Sequence, residues 1–76
     1  MNIKPIGERV LIQPKTANEK KKLGTVIAAG TDKDGNPLRI TIGETVLYRE
    51  NSSEEFEIEG EKYIIIDYKD LLAKIN

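Results

Sequence analysis

Leu38-Arg39-Ile40-Thr41-Ile42-Gly43-Glu44-Thr45-Val46-Leu47-Tyr48-Arg49 is the stretch whose reading decides the fold. Leu38, Ile40 and Ile42 alternate with Arg39 and Thr41. After the Gly43-Glu44 interruption, a β-branched and aromatic run resumes from Thr45 to Arg49. Period-two alternation broken by a glycine predicts two strands meeting at a tight corner of a small barrel. Gly43 can supply the positive φ that such a corner often needs, which is costly for any residue with a Cβ. No catalytic motif lies in the stretch.

On the N-terminal side, Asn2 to Pro5 fits an edge strand or terminal arm, because Pro5 has no N–H to give to a ladder. Arg9 to Gln13 places Val10 and Ile12 on one face and Leu11 on the other, a strand buried on both sides over part of its length and ended by Pro14. Lys15 to Leu23 is polar without a period and reads as an exposed, solvated connection rather than a basic patch. Gly24 to Gly30 is a strand between two glycines, its small residues suited to close packing against a neighbouring backbone. Thr31 to Pro37 contains Asp34-Gly35 followed by Asn36, the signal for a two-residue hairpin turn. A calcium loop counted from Asp32 would put glycine at the sixth position and glutamate at the twelfth. Here glycine stands fourth and Gly43 twelfth, so the hairpin reading is preferred.

On the C-terminal side, Asn51-Ser52-Ser53 reads as a turn. Phe56 and Ile58 then alternate with Glu55, Glu57 and Glu59 in a strand with one core face and one acidic face. Glu59-Gly60-Glu61 turns the chain into Lys62 to Ile66, an apolar run that fits a strand covered on both faces. Asp67 is placed to cap one helical turn over Tyr68 to Asp70, and Leu71, Leu72 and Ile75 form an apolar tail that needs a partner. The spacing of turns predicts an all-β, small irregular barrel of six or seven short strands, with a hairpin at Asp34-Gly35 and one short helical turn near the C-terminus.

Seventy-six residues make one domain, residues 1–76, whose folding removes only about 60% of the unfolded surface from water, so oligomerisation is the expected supplement. There is no cysteine for a disulfide and no histidine to help hold a metal, which fits a reducing, cytoplasmic compartment and no cofactor. Twelve basic and thirteen acidic residues leave a formal charge of −1, without the electrostatic footprint of a nucleic-acid or anionic-membrane binder. Met1 to Pro5 lacks the apolar core of a signal peptide, and Tyr63 to Ile66 is too short to cross a bilayer.

These residues together resemble the co-chaperonins, the 10-kDa GroES type. Asn2-Ile3-Lys4-Pro5 followed by Glu8-Arg9-Val10-Leu11-Ile12 is similar to the start of that family. Gly24-Thr25-Val26-Ile27-Ala28-Ala29-Gly30 resembles its Gly-Glu-Val-Val-Ala-Val-Gly strand, and Ile42-Gly43-Glu44-Thr45-Val46-Leu47-Tyr48 its Val-Gly-Asp-Thr-Val-Leu-Phe corner. Glu59 to Ile66 and Lys69-Asp70-Leu71-Leu72-Ala73 resemble its Gly-x-x-Tyr strand and Ser-Asp-Ile-Leu-Ala terminus. The resemblance implies a GroES-like barrel subunit in a seven-membered dome that caps a GroEL-type chaperonin. Subunits would join there through Asn2, Ile3, Lys4 and Pro5 of one and Leu71, Leu72, Ala73 and Ile75 of the next. The hairpin tip Asp34, Gly35 and Asn36 would form the roof.

One family element is missing. Between the first long strand and the glycine-bounded strand, co-chaperonins carry a flexible, glycine-containing loop with an apolar tripeptide that folds onto the chaperonin. Here Lys15, Thr16, Ala17, Asn18, Glu19, Lys20, Lys21, Lys22 and Leu23 fill that interval, a truncated version of the chaperonin-binding loop. An alternative register makes Gly24 to Ile27 the remnant of the loop. The deletion is preferred, because a small barrel that lost this strand would leave an internal edge open. The leading function is therefore a co-chaperonin-type subunit with loop docking in question. The alternative is an assembly module on the same barrel that no longer binds a chaperonin. No catalytic residue is assigned: Ser52, Ser53 and the Glu54, Glu55, Glu57, Glu59, Glu61 series lack a base partner in a motif, and alternate glutamates on a strand form a solvated face.

Overall fold

Val10, Leu11 and Ile12 are fully buried because their strand, β1 (Arg9–Lys15), lies inside a sheet and is paired on both sides. The computed structural model describes residues 3–15, 22–49 and 53–75. The other strands are β2 (Leu23–Ala29), β3 (Thr45–Tyr48), β4 (Ser53–Ile58), β5 (Glu61–Asp67) and β6 (Leu71–Ile75), with a 3-10 turn over Tyr68–Asp70. They form one antiparallel sheet in the order β4-β5-β1-β2-β3-β6.

The expected barrel is overturned. The two terminal strands, β4 and β6, do not pair with one another, so the sheet is open and not curled into a closed barrel. Closure requires strand number, tilt and stagger to agree around the whole circle. The stretch that was to supply extra wall, Leu38 to Ile42, is not a strand at all. Its Ile40 N–H donates to the Leu38 carbonyl at 2.8 Å, a three-residue turn that uses locally a donor a ladder would need. Glu44 N–H then closes a turn onto the Thr41 carbonyl at 3.1 Å, with Gly43 at φ 96° in the position that needs a left-handed residue. Thr45–Tyr48 joins the sheet as a strand, and Gly43 N–H donating to the Val26 carbonyl at 2.8 Å and Val26 N–H donating to the Glu44 carbonyl at 2.9 Å carry the contact with β2 back to Gly43.

Alternation sorts the apolar residues onto two faces. Val10, Ile12, Val26, Val46, Tyr48, Ile64 and Ile66 form the core together with Leu38, and Ala29, Ile40, Tyr68 and Leu71 pack against it. The turn-rich segment after β2 and the 3-10 turn thus cover one face of the sheet. On the other face lie Leu11, opposite Ala28 and Ile65, and Phe56, opposite Tyr63, their rings stacked with centroids 5.9 Å apart. Phe56 and Ile58 are only half-buried. The acidic alternates Glu55 and Glu57 sit beyond the core on its own side, since Glu55 pairs with Ile64.

Two local expectations are also corrected. β1 continues through Pro14 to Lys15, because β1 pairs with β5 only from Arg9 to Ile12. At Pro14 it has a single neighbour, β2, and is in effect an edge strand that tolerates the missing N–H. Asp67 precedes the 3-10 turn but makes no side-chain cap. The turn is anchored instead by Tyr68 N–H donating to the Glu8 carbonyl at 2.8 Å. The expected turn at 51–53 falls mostly outside the described residues.

Candidate assembly and docking surfaces

The N-terminal arm, Ile3 to Ile6, has no strand partner among the described residues. Pro5 is buried, Lys4 exposed and Ile6 79% exposed. The arm is fixed at its base: Thr31 N–H donates to the Gly7 carbonyl at 3.0 Å, and Gly30 lies so close to the Pro5 and Gly7 carbonyls that a Cβ has no room there. Asn2, expected to belong with it, lies outside the described residues.

The C-terminal tail, read as an apolar segment in search of a partner, finds one inside its own chain. β6 pairs with β3, Val46 opposite Lys74 and Leu47 opposite Ala73, with a register shift where Tyr48 meets Leu71. Lys74 Nζ lies 3.7 Å from Glu44 Oε1, the same carboxylate oxygen that accepts the Thr41 N–H at 2.6 Å, so one glutamate ties the turn before β3 to β6. Leu71 packs on the core, whereas Leu72 is 52% and Ile75 46% exposed. Beside them runs a groove of about 280 Å³ lined by Ile40, Val46, Tyr68, Leu71 and Leu72. The outer edge of β6 has no partner among the described residues.

Of the segment Lys15 to Leu23, the structure describes Lys15, Lys22 and Leu23. Lys15 ends β1 and Leu23 opens β2, paired opposite each other, and Lys15 Nζ donates to Thr45 Oγ1 at 3.0 Å. Gly24 to Ile27 lie wholly within β2, which pairs with both β1 and β3. The register that would make them the remnant of a loop is therefore excluded.

The Asp34-Gly35 turn is present with one more residue in it than a two-residue hairpin. Asp32 N–H donates to the Asn36 carbonyl at 2.8 Å, Gly35 N–H donates to the Asp32 carbonyl at 3.0 Å, and Gly35 takes φ 84°. A three-residue loop with a left-handed glycine is the next commonest solution to a hairpin. Asp32 Oδ1 accepts from the N–H groups of both Asp34 and Asn36 at 2.9 Å, which commits that carboxylate to the turn itself. The flanks meet only at the bridge Thr31–Pro37. Asp34, Gly35 and Asn36 are exposed at the tip. Of the serines and glutamates weighed for catalysis, Ser52 lies outside the described residues, and Glu54, Glu55, Glu57, Glu59 and Glu61 are spread along the exposed β4–β5 hairpin. No helix of the described residues is long and apolar enough to cross a membrane.

The family model described as the chaperonin 10 Kd subunit matches residues 12–75. Co-chaperonin GroES of Methanosarcina barkeri is 44% identical over 89 aligned positions, covering 99% of this chain and 97% of that protein. Co-chaperonin GroES of Porphyromonas gingivalis is 42% identical over 89 positions, covering 99% and 100%. That of Mycolicibacterium smegmatis is 34% identical over 96 positions, covering 100% and 96%. An alignment of 89 positions against a chain of 76 residues leaves at least 13 positions where the relative has a residue and this chain has none. Matched by the family model over residues 12–75 and by such relatives across nearly its whole length, the chain belongs to the chaperonin 10 Kd subunit family, a family of co-chaperonins and not of enzymes.

Proposed function

We propose that this chain is a subunit of a cytoplasmic homo-oligomeric ring or dome of the co-chaperonin type, seven-membered as the family resemblance implies, a folding-assisting lid for a GroEL-type chaperonin whose loop-mediated docking is weakened. The observation that carries the reading is family membership across nearly the whole chain, with relatives named as co-chaperonins. The two surfaces suited to assembly support it. An arm with no strand partner among the described residues and a β6 edge flanked by half-exposed Leu72 and Ile75 are what strand addition between subunits uses, main-chain bonds for affinity and apolar side chains for fit. In this reading Asn2, Ile3, Lys4 and Pro5 of one subunit meet Leu71, Leu72, Ala73 and Ile75 of the next, and Asp34, Gly35 and Asn36 lie at the roof.

Docking to the chaperonin is weak in this chain. We assign the missing positions to the interval from Lys15 to Leu23, where four lysines and one glutamate stand and Ala17 and Leu23 are the apolar residues. A loop that orders on binding needs buried apolar side chains to offset its entropy cost. A ring multiplies a contact only where the contact exists.

The test is co-sedimentation with a GroEL-type chaperonin, with and without ATP, of this protein and of a version carrying a glycine-flanked Ile-Val-Leu segment between Lys22 and Leu23. The expected result is little binding by the first and ATP-dependent capping by the second. Tight, nucleotide-dependent binding of the unaltered protein would refute the loop assignment. Failure of both versions, with assembly intact, would support the second reading: a ring-forming module with a different partner, which the short, charged Lys15–Leu23 interval favours.

A further inference from the structure

We propose that the outer edge of β4 is a latent self-association surface for a second copy of this chain, held closed by Glu55 and Glu57. β4 is the last strand of the sheet, and among the described residues nothing pairs with its far side. An open edge of six residues presents unpaired N–H and C=O groups, a template for another strand. Half-buried Phe56 and Ile58 add apolar surface beside it, so the edge has what strand addition needs except for its charge.

The charge falls where pairing would place it worst. A two-fold antiparallel pairing of β4 with β4 must keep side chains of the same face opposite one another, which allows only alternate registers. Two registers bring five of the six residues into pairing. In one, Glu55 faces Glu55; in the other, Phe56 faces Phe56 and Glu55 faces Glu57 on both sides. Like charges directly opposite destabilise a strand pair. Across β5, Glu57 has Lys62 as its neighbour but Glu55 has Ile64, Glu54 has Ile65, and the hairpin turn adds Glu59 and Glu61. Lys62 is the one basic group on β5, so the edge stays acidic. β6, the opposite edge, is not guarded in this way, carrying Lys74 among Leu71, Leu72, Ala73 and Ile75. The chain thus closes one edge and leaves the other available.

The experiment is sedimentation velocity over a dilution series at low salt, reading association beyond the assembly formed by the unaltered protein. Glu55→Gln/Glu57→Gln should associate at concentrations about tenfold lower than the unaltered protein. Glu55→Lys/Glu57→Lys keeps like charges opposed and should behave as the unaltered protein does. A one-to-one mixture of the lysine variant with the unaltered protein should associate, because glutamate then faces lysine across the same edge. The mixture carries the test even where the glutamine variant precipitates. A control of equal charge change away from the edge, Glu8→Gln/Asp67→Asn, should change nothing. A mixture that sediments as the sum of its components, or a control that associates as readily as the edge variant, would overturn the proposal.

Discussion

Gly24 in β2 is the diagonal neighbour of Ile12 in β1, so close that a Cβ on Gly24 would overlap the Ile12 Cγ2 methyl and lie 3.2 Å from the Gln13 carbonyl oxygen. Ile12 is completely buried and cannot swing aside. Gly24→Ala is therefore expected to destabilise by about 1–3 kcal/mol, the cost of overpacking a filled core. Gly30→Ala should cost at least as much, since the obstacle there is backbone, the Gly7 carbonyl. Gly35 has open space around its Cα and φ 84°, so Gly35→Ala should cost only the left-handed backbone term, about 1–2 kcal/mol. Urea denaturation of the three variants checks the order, and a Gly24→Ala protein as stable as the parent would show that β1 and β2 are not packed this closely.

The β4–β5 hairpin predicts a gain. Glu59 and Gly60 both hold positive φ, 53° and 83°, as a two-residue turn matched to the twist of its strands requires. Glycine adopts that geometry freely and glutamate does not. Replacing Glu59 by Asn, a residue that tolerates the left-handed region, should raise stability by about 0.5–1 kcal/mol. A lower urea midpoint for Glu59→Asn would contradict the turn geometry.

Ile42 and Ile64 separate what was legible in the sequence from what was not. Alternation read Leu38, Ile40 and Ile42 as one inward row. The structure buries Leu38, half-buries Ile40 and leaves Ile42 58% exposed at the tip of the Thr41–Glu44 turn. Ile64, from the apolar run Tyr63–Ile66, is buried as read. Ile64→Ala should cost about 2–5 kcal/mol and Ile42→Ala less than about 0.5 kcal/mol. Equal losses in thermal unfolding would restore the inward row.

The reason for the difference is physical. Val10, Ile12, Val26, Ile64 and Ile66 sit in strands with neighbours on both sides, where local pattern and tertiary pairing agree. Leu38 to Ile42 has the same pattern but no partner strand among the described residues; the Ile40 N–H turns back onto the Leu38 carbonyl and the Thr41 N–H goes to the Glu44 carboxylate. Period-two alternation reports which side chains seek a core. It does not report whether a backbone finds a ladder or whether the two ends of a sheet meet, and both of those expectations failed here. Pro14 illustrates the same limit: whether a proline ends a strand depends on whether a second neighbour is present beside it. The N-terminal arm and the apolar tail were legible as composition. That the tail is first a strand of its own subunit was not, because the pairing of Val46 with Lys74 spans residues far apart in sequence.

That pairing changes how assembly should be tested. Deleting Leu71 to Asn76 would strip β3 of its neighbour and Leu71 from the core, so loss of assembly would be indistinguishable from loss of fold. Leu72→Ser/Ile75→Ser alters only side chains that are about half exposed and spares Leu71 and the Glu44–Lys74 ion pair. Burying the rest of two such side chains at a subunit contact is worth about 1 kcal/mol each. The double variant should therefore weaken each contact by about 2 kcal/mol, roughly thirtyfold in dissociation constant. Its circular dichroism spectrum should be unchanged, while sedimentation velocity shows dissociation at concentrations where the parent remains assembled. A variant that keeps its assembly at every dilution would remove β6 from the interface and leave the Ile3–Ile6 arm to be explained some other way.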